Sequence, residues 1–183
     1  MDEAKLKQLS YKIFECFDTD DYAKAKRLLK KELESHPEEY WVVTNLAIVY
    51  YECGDFKKAF EYSNKAMEMA PNDPLVLNYH APILRVNDRF QEAIDTWMKV
   101  MSMSEAELAN SRFGEGVKWA KSLINDIRYN LGNAYSLLDD YATAVKYYQE
   151  HLSNRKRGMY SIYSKAEVQQ EMDEALWMLE DKE

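Results

Sequence analysis

A 34-residue echo constrains this chain more than any other feature. Ala25, Ala59 and Ala93 stand 34 positions apart, as do Tyr22, Phe56 and Phe90, and as do Pro37 and Pro71. The surrounding text rhymes: Asp21-Tyr22-Ala23-Lys24-Ala25, Asp55-Phe56-Lys57-Lys58-Ala59, Arg89-Phe90-Gln91-Glu92-Ala93. A fourth copy, Asp140-Tyr141-Ala142-Thr143-Ala144, follows after 51 residues, one period plus 17. A unit of this length cannot bury a core alone and must stack on its neighbours, which predicts a solenoid and points to binding rather than chemistry.

Each unit reads as a helix hairpin. In the second, helical periodicity runs from Glu39 to about Cys53 and again from Phe56 to about Met69. Gly54 breaks it, where a left-handed residue can close a helix, and Asp55 is placed to cap the next one. Pro71 ends the pair, and Pro74 opens the following helix, where its missing N–H is harmless. Asn87-Asp88 and Asp139-Asp140 do the same turn work, because Asn and Asp tolerate the left-handed region. Small residues mark where paired helices approach: Ala47 with Ala59, Ala81 with Ala93, Gly132 with Ala144. Leu46, Tyr50, Phe56 and Phe60 are expected to fill the layer around the first of these, Leu77, Leu84, Phe90 and Ile94 the second, and Leu131, Tyr135, Tyr141 and Tyr148 the third.

Asn45-Leu46-Ala47 with Tyr50, Gly54-Asp55-Phe56, Ala59, Ala66 and Pro71 resembles a tetratricopeptide repeat. Asn130-Leu131-Gly132-Asn133-Ala134-Tyr135, followed by Tyr141, Ala144 and Tyr147-Tyr148, is similar to the same pattern. The third unit keeps Ala81, Phe90, Ala93 and Ile94 but departs at His80 and Pro82. The first keeps Asp21, Tyr22, Ala25 and Pro37 while carrying Ile13 and Glu32 at small-residue positions. The resemblance implies one all-α domain over 1–183, a right-handed solenoid of helix hairpins. Its repeats fall at about 6–39, 40–73, 74–107 and 125–158, with a helical insert at 108–124 and a capping helix at 164–181.

The insert begins with Ser104-Glu105-Ala106-Glu107, a capping box. Gly114 and Gly116 break that short helix, and from Val117 a helix is expected to run unbroken to about Leu138. Ser164-Lys165-Ala166-Glu167 is a second capping box, and Val168, Met172, Ala175, Leu176 and Leu179 form the apolar face behind it. The other side is acidic, as a terminal solenoid cap needs for solubility. Trp177 points away from the apolar face. It covers the Arg155 to Tyr163 loop or belongs to a partner surface or a homodimer contact.

A net charge of −8 disfavours nucleic acid and anionic membrane as partners. Arg155-Lys156-Arg157 is the one compact basic run, expected in a loop and solvated. The most apolar window, Tyr40 to Tyr51, is 12 residues long, short of the ~20 that span a bilayer. No signal peptide is visible, and Cys16 and Cys53 suggest no disulfide framework, so a cytoplasmic protein is expected. Phosphate-binding Gly loops, His-Glu-x-x-His and paired metal ligands are missing, so no enzyme activity and no cofactor are expected. Asp18-Thr19-Asp20-Asp21 resembles a calcium loop, but Ala23 and Leu29 replace its Gly and closing acid, leaving a turn with an N-cap. His80 is expected in the core bonded to a carbonyl, His151 at a helix end, and His36 on a surface loop.

The family's first helices line a concave surface that binds peptides or helices of partner proteins. The resemblance places there Phe14 and Phe17; Trp41, Asn45, Ile48 and Tyr51; Asn78, Tyr79 and Arg85; and Tyr129, Asn130 and Asn133. Aromatics supply contact area, and Asn offers a donor and an acceptor to a peptide backbone. Alternatively these aromatics pack on neighbouring helices, or the chain's own termini fill the groove. The family's basic clamp for a C-terminal carboxylate is lost: Ser10, Phe14, Leu75 and Tyr79 stand at its positions, and Asn45 alone is kept. The reading is an adaptor for a protein or peptide. The alternative is an antagonist, immunity protein or secretion chaperone that covers a basic partner with its acidic surface.

Overall fold

The computed structural model describes residues 1–181, and among these it is helical with no strand. Two compact units divide the chain at Asn87. The first holds α1 (Glu3–Asp18), α2 (Tyr22–Ser35), α3 (Tyr40–Glu52), α4 (Phe56–Met69) and α5 (Pro74–Val86). The second holds α6 (Phe90–Met101), α7 (Glu105–Ala109), α8 (Val117–Leu137), α9 (Tyr141–Lys156) and α10 (Lys165–Glu180).

Local chemistry sets these boundaries. Asp20, Gly54, Asp88 and Asp139 take positive φ of 53°, 73°, 59° and 60°, each one step before a helix-opening position. Behind three of them an aspartate accepts from the third residue on: Asp21 from Lys24 N at 3.0 Å, Asp55 from Lys58 N at 3.2 Å, Asp140 from Thr143 N at 3.1 Å. Those bonds satisfy N–H groups that the first helical turn leaves unpaired. Asp73 does the same for α5 with Pro74 in its first turn. Both capping boxes form, at Ser104 with Glu107 and at Ser164 with Glu167.

Packing follows the small residues. In unit 1, Leu46, Ala47 and Ala59 have no exposed surface, and Val43, Ala66 and Val76 form a further buried cluster. Phe56 departs from expectation. It is 40% exposed at the first position of α4, its ring 5.8 Å from Tyr51, because its side chain leaves the helix at the rim of the hairpin. In unit 2, α8 and α9 meet at Gly132, where an added Cβ would lie within 2.8 Å of three ring carbons of Tyr148. On α10, Val168 and Ala175 are buried against Tyr129, Tyr141, Ala144, Val145 and Tyr148, with Met172, Leu176 and Leu179 alongside. Arg155 and Lys156 lie in the last turn of α9 rather than in a loop. The Arg155 guanidinium is half-buried and donates to the carbonyls of Met159 and Ser161, at 3.2 and 3.4 Å. It fastens the segment leading to α10 instead of standing solvated.

Candidate functional site

Three first helices belong to unit 1, and the 34-residue register puts their side chains in equivalent rows: Tyr11, Asn45, Tyr79; Phe14, Ile48, Pro82; Phe17, Tyr51, Arg85. Tyr11 and Phe14 are 62% and 53% exposed. Phe17, Ile48, Tyr51, Asn78, Tyr79 and Arg85 are half-buried. Trp41 and Asn45 are interior, and Asn45 Nδ2 donates to the Trp41 carbonyl at 2.8 Å. The physical reason is that α3 packs against α2, α4 and α5 and has little surface left to present. Tyr11 escaped the sequence reading, although its register with Asn45 and Tyr79 was the available signal. The Arg85 guanidinium makes no hydrogen bond or ion pair with any described residue, and its Nε is buried.

In unit 2 the corresponding positions are occupied by the chain itself. Tyr129 is buried, its ring 4.0 Å from that of Tyr163, and its hydroxyl donates to Glu167 at 3.1 Å. Burial raises its pKa above the usual phenol range. Asn130 accepts from the Tyr163 hydroxyl at 3.0 Å, and Asn133 accepts from Tyr148. Tyr129 and Asn130 therefore hold the segment before α10 against α8, while Asn133 ties α8 to α9 through Tyr148. Trp177 is 64% exposed, and the surface around it comes from α10's own Ala166, Gln169, Gln170, Asp173 and Glu174.

The histidines sit differently from expectation. His80 Nδ1 meets the hydroxyl of Ser63 on α4 at 3.1 Å. His36 is half-buried as the C-cap of α2, 2.7 Å from Glu32. His151 lies five residues before the end of α9 with no exposed surface. Its Nδ1 is 2.8 Å from the Asn125 carbonyl, which can only accept, so Nδ1 carries the proton; Nε2 is buried without a partner. Burial, aided by Arg155 and Arg128, lowers its pKa. The folded state thus binds fewer protons than the unfolded chain just below the ordinary histidine value of about 6.5, and stability is lost as pH falls through that window. Asp126 acts oppositely, its carboxyl raised by burial, but it is common to any His151 variant. From pH about 7.5 to about 5.5, the melting temperature of wild type should fall further than that of His151→Gln. Parallel falls would show that the imidazole does not titrate in the core.

Among the described residues, no three His, Cys, Asp or Glu side chains gather to hold a metal, and no helix is long and apolar enough to cross a membrane. Cys16 is buried and Cys53 exposed, both free. A second charged feature was missed in the sequence. Lys26, Arg27, Lys30 and Lys31, with Ala23 and Glu34, line a shallow depression on α2. Helical spacing, not contiguity, assembles it, so the run at 155–157 is not the one compact basic group.

Tetratricopeptide repeat family models match residues 17–81 and 128–158. No curated protein matches the chain. Among solved structures, PilF of Pseudomonas aeruginosa superposes with a TM-score of 0.72 at 19% identity, over 96% of this chain and 69% of that one. BtubC (BKLC) from P. vanneervenii gives 0.74 at 17% identity, over 97% and 74%. MamA gives 0.57 at 18% identity, over 92% and 94%. At such identities the likeness concerns the fold, an all-α solenoid of helix hairpins.

Proposed function

This chain belongs to the tetratricopeptide repeat family, and from that premise we propose that it is a non-catalytic adaptor whose first-helix face in unit 1 binds a peptide or helix of a partner protein. Proteins of this fold generally mediate protein–protein interactions. The observation that carries the proposal is Arg85, a guanidinium with no partner among the described residues, at the same repeat position as Phe17 and Tyr51 on first helices that also carry the exposed Phe14. Exposed aromatics next to an unspent donor set suit a partner that brings apolar side chains and backbone carbonyls. Tyr129, Asn130 and Asn133 spend their polar groups on Glu167, Tyr163 and Tyr148, and the proposed surface leaves them out.

The test starts from a partner captured from the source cell. Phe14→Ala, Tyr51→Ala and Arg85→Ala should each weaken its binding by about tenfold, the loss of one central contact, with helicity by circular dichroism unchanged. Equal binding by all three variants would move the site elsewhere. A second reading rests on the outer face of α10, where Trp177 stands among Asp173 and Glu174. There the protein acts as an antagonist or chaperone covering a basic partner. Loss of binding with Trp177→Ala, and not with the other three, would select it.

A further inference from the structure

The surface of α2 breaks a local rule without an evident return inside the fold. Lys26 and Lys30, and Arg27 and Lys31, are like-charge pairs four residues apart, an arrangement that destabilises a helix. Of the carboxylates nearby, Glu32 pairs with Lys5 at 2.5 Å and Glu15 with Lys24 at 3.8 Å, while Glu34 lines the same depression as a single acid among the four cations. None of the four α2 cations forms an ion pair with a described residue. Arg27, Lys30 and Lys31 are exposed, and Lys26 is half-buried.

A second element reinforces the charge. The ammonium groups of Lys26, Lys30 and Lys58 lie 5.4, 5.9 and 5.4 Å from the centroid of one ring, that of Tyr50. Tyr50 is itself buried and stacks on Tyr62 at 5.3 Å. The aromatic faces attract cations and hold the three together. Asp55, paired with Lys58 at 2.6 Å, is their one carboxylate ion-pair partner among the described residues. Positive charge is thus built over the start of α4 as well as along α2, on a protein whose net charge is −8.

We propose that this surface, Lys26, Arg27, Lys30, Lys31 and Lys58 over Tyr50, docks an acidic peptide segment of another protein. Charge complementarity requires an anionic occupant, and the spacing favours separate carboxylates over one phosphate. The cations are spread along two helical rows about 6 Å per step, which matches carboxylates one helical turn apart or at alternate positions of a strand. A single dianion would instead call for converging guanidinium forks, and one of the five residues is an arginine. The surface is separate from the Phe14, Tyr51 and Arg85 face and does not depend on its role.

The probe is an amidated oligoglutamate peptide titrated into the full-length protein. Binding should be measurable at about 50 mM salt and at least about tenfold weaker at about 300 mM, as screening shortens. Lys26→Glu with Lys30→Glu should abolish it. Lys156→Glu with Arg157→Glu, and Phe14→Ala, should leave it unchanged, with all variants equally helical. Absence of oligoglutamate binding, or equal binding by Lys26→Glu/Lys30→Glu, would overturn the proposal. So would tighter binding of duplex DNA or of phosphatidylserine vesicles lost in the same variant. A wild-type dimer in sedimentation that this variant disperses would likewise overturn it, assigning the surface to a second copy of the chain.

Discussion

Removing residues 164–183 is expected to leave a protein that aggregates on expression or melts far below the full chain. Val168 and Ala175 are almost completely buried, and Met172, Leu176 and Leu179 pack beside them on Tyr129, Tyr141, Val145 and Tyr148. Each well-buried apolar side chain contributes about 1.5–3 kcal/mol, so the loss of this face removes upwards of about 4 kcal/mol, a large share of the 5–15 kcal/mol typical of a folded domain. The deletion also strips Tyr129 of its Glu167 partner and uncovers a contiguous aromatic surface of the kind that drives association. Scattering and urea denaturation on the purified truncation provide the measurement. A soluble truncation with an unchanged urea midpoint would show that α10 is not a cap.

Gly132→Ala is the second change with a large expected effect, because two forces on it oppose each other. On helix propensity alone, alanine should stabilise the middle of α8 by about 1 kcal/mol. Against that, the new methyl group would fall within 2.8 Å of three carbons of the Tyr148 ring. Tyr148 has no exposed surface, its hydroxyl is held by Asn133, and Tyr129 flanks it at 5.9 Å. The ring has nowhere to retreat, so overpacking wins by about 1–3 kcal/mol and the urea midpoint falls. Adding Tyr148→Leu should recover part of the loss, since residues in contact couple. A Gly132→Ala protein more stable than wild type would mean that α8 and α9 do not approach so closely there.

The hairpins were legible in the sequence because everything that makes them is local. Asp55 and Asp140 cap helices three residues away, Gly54 and Asp139 supply the left-handed turn, and both capping boxes lie within four residues. The long α8 was legible for the same reason: after Gly116 nothing interrupts a helical pattern until Leu137. Which first-helix positions face outward was not. Asn45 and Tyr11 share one repeat position, yet Asn45 is interior and Tyr11 is 62% exposed.

By itself, then, the sequence determined the repeat, its turns and caps, and the family, since periodicity and capping act over a few residues. Tertiary structure decided what each helix meets. It enclosed α3 between α2, α4 and α5, and sealed the α8 face with Tyr163. It placed His151 on a carbonyl 26 residues away, and left Lys26, Lys30 and Lys31 without an ion pair among the described residues. Burial and charge pairing depend on neighbours distant in the chain, and a 34-residue pattern is the same whether or not a neighbour covers it.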